Sequence, residues 1–112
     1  MRRSGTLTEH EQMILLAVVR LGEGGYGVAV CDEIERRTGR SISVAATYTA
    51  LERMEERGFV RSRVDEPTPV RGGRARKQFA VEPAGARALH ESHQAMARMW
   101  EGLEGHSDLA EP

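Results

Sequence analysis

The apolar residues of this 112-residue chain keep a helical period as far as Gly58 and then switch to a period of two. A chain that makes this switch once, and returns to a helical period before its end, has few folds open to it. The first segment opens on Thr8-Glu9-His10-Glu11, a capping box in which the Thr8 hydroxyl accepts from the Glu11 amide while the Glu11 carboxylate reaches back. Ile14, Leu15, Val18, Val19 and Leu21 follow as an apolar stripe, which predicts a helix over 9–21 closed by Gly22. After a Gly-rich turn at 22–25, Val30 and Ile34 mark a second helix over 27–37, ended by Gly39. Ser41-Ile42 reads as a short extended piece. Ser43 then caps a third helix over 44–57, with Val44, Ala50 or Leu51, and Met54 inward, stopped at Gly58.

Beyond Gly58, residues 59–64 place arginines in alternation with Val60, Ser62 and Val64, and 76–81 alternate around Phe79 and Val81, so both read as half-buried strands. The stretch 65–75 between them is rich in Pro, Gly and Arg and reads as the tip of a hairpin. Pro83 suits the first turn of a final helix running to residue 104. On that helix Leu89, His93, Met96, Trp100 and Leu103 step by four, three, four and three, a heptad seam. The expected organisation is a disordered lead-in at 1–6, a folded unit at 7–82, a helix at 83–104 and a disordered tail at 105–112. The fold class is therefore mainly α with a small β-hairpin: a winged helix-turn-helix followed by a long C-terminal helix.

Composition narrows the function. The net charge is −1, yet residues 61–77 hold six basic and two acidic groups, while 82–112 hold two basic and six acidic. Fifteen of the sixteen cations are arginines, whose planar fork suits phosphates and guanine edges; a GC-rich genome gives the same bias. The longest apolar run, Met13 to Val19, is seven residues, against the ~20 that a membrane-spanning helix needs. One cysteine, Cys31, forms no internal disulfide, which with the absence of a signal-like N-terminus points to the cytoplasm. Cys31, beside Val30 and Ile34, reads as a small buried hydrophobe.

In this arrangement the third helix is the element that enters a major groove. Its expected exposed side carries Ser43, Ala46, Thr47, Tyr48, Thr49 and Arg53, where small residues admit a close approach and Thr methyls and hydroxyls meet base edges. Arg61, Arg63, Arg71, Arg74, Arg76 and Lys77 are placed to neutralise phosphates, Arg61 and Arg63 being equally readable as solvated strand charge. The partner implied is double-stranded DNA. A stripe of Leu89, His93, Met96, Trp100 and Leu103 on the last helix calls for a second subunit or for folding back on its own domain; the first choice gives a homodimer with its third helices about one DNA turn apart, ~34 Å, on a pseudo-palindromic operator.

Two motifs resemble one family. Tyr48-Thr-Ala-Leu51-Glu-Arg-Met-Glu-Glu-Arg-Gly58-Phe-Val60 is similar to the Tyr-x-x-Leu-x-x-Leu-Glu-x-x-Gly-Leu-Val stretch of the PadR family of bacterial transcriptional regulators. Gly72-Gly73-Arg74-Ala-Arg76-Lys77-Gln-Phe79 resembles that family's Gly-Arg-x-Arg-Lys-Tyr-Tyr wing, and Val81-Glu-Pro-Ala-Gly85 its Leu-Thr-x-x-Gly. Leu7-Thr8 and Tyr26-Gly27 fit its first two helices. The chain departs from the pattern at Ser43-Val44-Ala45-Ala46-Thr47, which lacks the usual Gly, and at Gln78, where an aromatic is common. The resemblance implies a short-form, mostly repressive regulator with a DNA-backbone role for Tyr48; the alternative for Tyr48 is a core ring with its hydroxyl at the rim. It also implies a flat apolar effector between the dimer helices, lined by Met96 and Trp100, for which simple interface packing is the other reading.

No nucleophile with a base motif and no phosphate-binding Gly loop is present, and Glu52, Glu55 and Glu56 read as a solvated helix face, so no enzyme is expected. His90 and His93, with His106 and Cys31 elsewhere, lack the further ligands of a tetrahedral metal site, and no cofactor is expected. The rival function is a winged helix that contacts protein and not DNA.

Overall fold

The computed structural model describes residues 6–65, 76–103 and 105 of the chain. Among the described residues, four α-helices, a short 3-10 turn at Gly22–Gly24 and one antiparallel strand pair make up the fold: α1 (Glu9–Leu21), α2 (Gly27–Thr38), α3 (Val44–Glu56), β1 (Val60–Val64), β2 (Lys77–Val81) and α4 (Pro83–Trp100). This is a winged helix with a C-terminal helix, as the pattern predicts. Both halves of the Thr8–Glu11 capping box form at 3.0 Å, and the Ser43 oxygen accepts from the Ala46 amide at 3.0 Å. Gly39 ends α2 in the left-handed conformation, φ 77°.

The core gathers Ile14, Leu15 and Val18 from α1, Val30 and Ile34 from α2, and Leu51 and Met54 from α3, with Phe59, Val60 and Phe79 beneath them. Cys31 is buried, as expected. The hairpin pairs Val60 with Val81 and Ser62 with Phe79. A third extended segment flanks it, because Tyr26 forms a β-bridge with Gln78 and the Phe79 amide donates to the Gly25 carbonyl at 2.9 Å. At the other end of the domain Arg57 donates to Glu11 Oε2 and to the Thr6 carbonyl, and lies over the Phe59 ring at 4.6 Å.

Several inward assignments are corrected. Val19 of α1 is 57% exposed, and Ala17 takes its place in the core, since Val19 falls one step outside the arc that faces α2 and β2. Val44 is 41% exposed, and Thr47 is the residue that faces inward with Leu51 and Met54. Phe59 lies before β1, its amide donating back to the Met54 carbonyl at 2.9 Å. The last helix ends at Trp100 and not at 104, because Gly102 at φ 81° turns the chain and brings the Leu103 amide to the Trp100 carbonyl at 2.8 Å. Leu103 is thus in a turn, outside the heptad register. Among the described residues no helix is long and apolar enough to cross a membrane.

Candidate nucleic-acid interface

The face of α3 opposite its buried row is built from small and polar residues. Ser43, Ala46, Thr49 and Arg53 are all exposed, and Ala46, Thr49 and Arg53 lie three and four apart on one side of the helix. Glu52 and Glu56 are exposed on the same helix and border this row. Thr47 is not part of it. It is fully buried, its hydroxyl donates to the Ser43 carbonyl at 3.0 Å, and its oxygen lies 3.1 Å from Cys31 Sγ. A threonine in a helix readily returns its hydroxyl to the carbonyl one turn back, and this one is held against α2 while doing so.

Tyr48 is half-buried. Its ring lies directly against Gly27 at the start of α2, where a Cβ would overlap the ring, and meets Phe79 at 6.2 Å between centroids. The ring is therefore a spacer that joins α3, α2 and β2 at the edge of this exposed row. The ring packs on the core, at a place that borders the exposed row.

The root of the wing is linked to Tyr48 through Phe79 of β2 and through Tyr26, the residue before Gly27. Lys77 is half-exposed at the start of β2, opposite Val64. The Arg76 guanidinium lies 3.9 Å above the centroid of the Tyr26 ring. The Tyr26 hydroxyl donates to Asp65 Oδ2 and accepts from Gln78 Nε2 at 3.4 Å. That bond to Asp65 is the leading reason the Tyr26 phenol is held above its ordinary pKa and the Asp65 carboxyl below its own. Arg63 Nε stands 3.5 Å from Asp65 Oδ1 just past β1, and Arg61 stands 3.6 Å from Glu82 at the cap of α4, so both strand arginines have acidic neighbours. Arg71 and Arg74 lie outside the described residues.

Residues 15–91 match the transcriptional regulator PadR-like family. The chain belongs to that family. No curated protein sequence matches it. The fold is shared with a PadR family transcriptional regulator from Eggerthella lenta, at 22% identity over 91% of this chain and 87% of that one, with a TM-score of 0.61. It is shared with a transcriptional regulator from Clostridium thermocellum, at 18% identity over 86% and 90% with a TM-score of 0.70. It is shared also with the Orc1 protein of Aeropyrum pernix solved in complex with DNA, at 21% identity and a TM-score of 0.60, over 86% of this chain and 27% of that one.

In this PadR-like regulator, α4 leaves the domain after its first turns. Gly85 and Ala88 are buried against it, and Leu89 packs partly on its own core, so Leu89 is not a free member of the seam. His93 is exposed, and the apolar surface beyond it is Met96 at 57%, Met99 at 73% and Trp100 at 46% exposure. The heptad register omits Met99, although Met99 stands three residues from Met96 and four from Leu103, a spacing that could have found it. Tyr26 and Asp65 are the other residues that periodicity does not single out. They lie 39 positions apart, and nothing local ties one to the other. Among the described residues no group of His, Cys, Asp and Glu is placed to hold a metal ion.

Proposed function

We propose that this PadR-like regulator binds duplex DNA as a homodimer and acts as a repressor at a pseudo-palindromic operator. The observation that carries the proposal is the exposed row Ser43, Ala46, Thr49 and Arg53 on α3, side by side with a wing root that presents Arg76 and Lys77. Small side chains at the start of α3 let its backbone approach the groove floor, Thr49 offers a methyl and a hydroxyl to base edges, and Arg53 reaches farthest. Tyr48 stands at the rim of this face and meets the DNA backbone. Arg71 and Arg74 extend the wing's phosphate contacts, which position the protein without reading sequence.

The exposed Met96, Met99 and Trp100 of α4 form the subunit contact, with His93 at its edge and Leu103 contributing from the turn beyond the helix. Residues 7–82 constitute the DNA-binding unit, the segment from 83 onward the dimerisation element, and the protein works in the cytoplasm. A small flat apolar effector seated between paired α4 helices, against Met96 and Trp100, changes the spacing of the two α3 helices and releases DNA; methionine supplies surface that adapts to such a ligand.

The test is selection of the purified protein against a random duplex pool, followed by fluorescence anisotropy of the winners at two salt concentrations. An enriched inverted repeat with half-site centres about 34 Å apart is expected. Affinity is expected to fall steeply with salt, with a logarithmic slope of roughly −0.9 per neutralised phosphate. A protein indifferent to duplex DNA at both salt concentrations overturns the proposal in favour of a protein-contact module.

A further inference from the structure

Arg76 is a long exposed side chain at the root of the wing, and such a side chain loses rotamer freedom when it must hold a phosphate. Here its guanidinium carbon already lies over the Tyr26 ring, 3.9 Å from the centroid. A guanidinium held over a ring by its face keeps edge N–H groups for a phosphate, and here the Tyr26 hydroxyl is one further neighbour of Arg76. The ring beneath is itself fixed from several directions. Tyr26 is the N-cap residue of α2 and its carbonyl accepts from the Val30 amide at 2.9 Å. Its backbone bridges to Gln78, and its hydroxyl is held between Asp65 and Gln78. Asp65 is in turn tied to the wing, since its amide donates to the Arg76 carbonyl at 2.8 Å and its other carboxylate oxygen faces Arg63. A residue from the turn before α2 and the two ends of the wing strands therefore converge on one guanidinium.

We propose that Tyr26 and Asp65 are positioning residues for DNA binding: the Tyr26 ring is a platform that presents Arg76 to a backbone phosphate, and Asp65 clamps the platform. This rests on the DNA-binding function proposed above. The α2 start and the wing root are thereby one phosphate-binding unit, although Tyr26 and Arg76 lie 50 positions apart. Asp65 serves this unit in spite of its charge, because its carboxylate is engaged by the phenol and by Arg63, attracts Arg76 toward the platform, and holds the ring that Arg76 rests on.

The experiment compares wild type, Arg76→Ala, Tyr26→Leu, Tyr26→Phe and the Tyr26→Leu/Arg76→Ala double variant for binding to a duplex over a range of salt. The duplex is the enriched inverted repeat or, if none is enriched, a random-sequence duplex of the same length. Arg76→Ala and Tyr26→Leu are each expected to flatten the logarithmic salt slope by about 0.9 for every phosphate that Arg76 no longer neutralises. The double variant is expected to bind no more weakly than either single one, because both remove the same interaction. Tyr26→Phe keeps the ring and is expected to keep the slope with a several-fold weaker affinity, which also guards against a Tyr26→Leu protein that fails to fold. The clamp has its own readout in the difference between alkaline ultraviolet titrations of wild type and Tyr26→Phe, which isolates the Tyr26 phenol. That phenol is expected to ionise above 10.0 in the wild type and to fall toward 10.0 in Asp65→Ala. Wild-type binding with an unchanged slope in Tyr26→Leu, or additive effects in the double variant, overturns the platform alone. A phenol that ionises at 10.0 in both proteins overturns the clamp. A wild type that binds no duplex overturns the DNA-binding proposal and the platform with it.

Discussion

Thr47 and Gly27 show how single residues tie the proposed reading face to the core. The Thr47 hydroxyl closes the first turn of α3 and meets the buried thiol of α2, so Thr47→Val is expected to destabilise the protein by roughly 0.5–1.5 kcal/mol. Urea unfolding measures that change, and affinity for DNA should be unaffected because the side chain never reaches the surface. Gly27→Ala acts differently. Its Cβ would overlap the Tyr48 ring, so either the ring or the start of α2 must move, at a cost of about 1–3 kcal/mol. DNA affinity should fall together with stability in this variant. The Tyr26–Asp65 pair sets a pH signature. A carboxyl lowered below 3.8 contributes stability above the unfolded carboxylate range and loses it as pH falls through the lowered value. A phenol raised above 10.0 contributes below that value and loses it as pH rises through the raised one. The pair's contribution should accordingly be level between about pH 4 and pH 10 and be lost at either extreme; Tyr26→Phe should lack the alkaline limb and keep only a smaller acid limb, from Arg63 and Arg76, in equilibrium unfolding across pH.

At the scale of elements, the caps carry the boundaries. Ser43→Ala removes the acceptor for the Ala46 amide and is expected to cost about 1 kcal/mol by denaturant unfolding. Since Ser43 also opens the exposed row of α3, its variant should weaken DNA binding more than its lower stability explains. The helix starts were legible because Thr8, Ser43 and Pro83 each announce one through an unsatisfied amide or its absence. The inward faces were less legible. Val19 and Val44 are apolar and lie at helical spacing, yet both are exposed, while the polar Thr47 is buried. Periodicity ranks side chains by polarity, whereas position on the helix arc decides which of them meets a neighbour, and a threonine that bonds its own backbone enters a core at little cost. The end of α4 illustrates the same limit, since the heptad steps run on to Leu103 while Gly102 has already turned the chain.

The described residues span 57 × 34 × 20 Å with a radius of gyration of 16.4 Å, against about 13 Å for a compact domain of this size. The excess is consistent with α4, whose second half carries Met96, Met99 and Trp100 away from the core. An apolar strip of this kind in water favours a second copy. Met96→Glu/Trp100→Glu is expected to convert a dimer into a monomer in sedimentation velocity. Its affinity for an inverted repeat should fall to that for a single half-site, because two linked half-sites bind far more tightly than one. A wild-type protein that sediments as a monomer, with Met96 and Trp100 folded back on its own domain, would overturn that expectation.

The order of elements, their caps and the basic wing follow from local rules: hydrophobic period, capping residues, and Gly and Pro at turns act over a few residues and leave their mark in the sequence. They determine a winged helix, and the motifs around Tyr48 and Gly73 determine its family. The assembly of the site belongs to the tertiary structure. Only packing buries Thr47, lays Tyr48 on Gly27, and brings Tyr26, Asp65 and Arg76 together across 50 residues. Such contacts depend on how helices and strands cross in space, and neighbours along the chain carry no record of that.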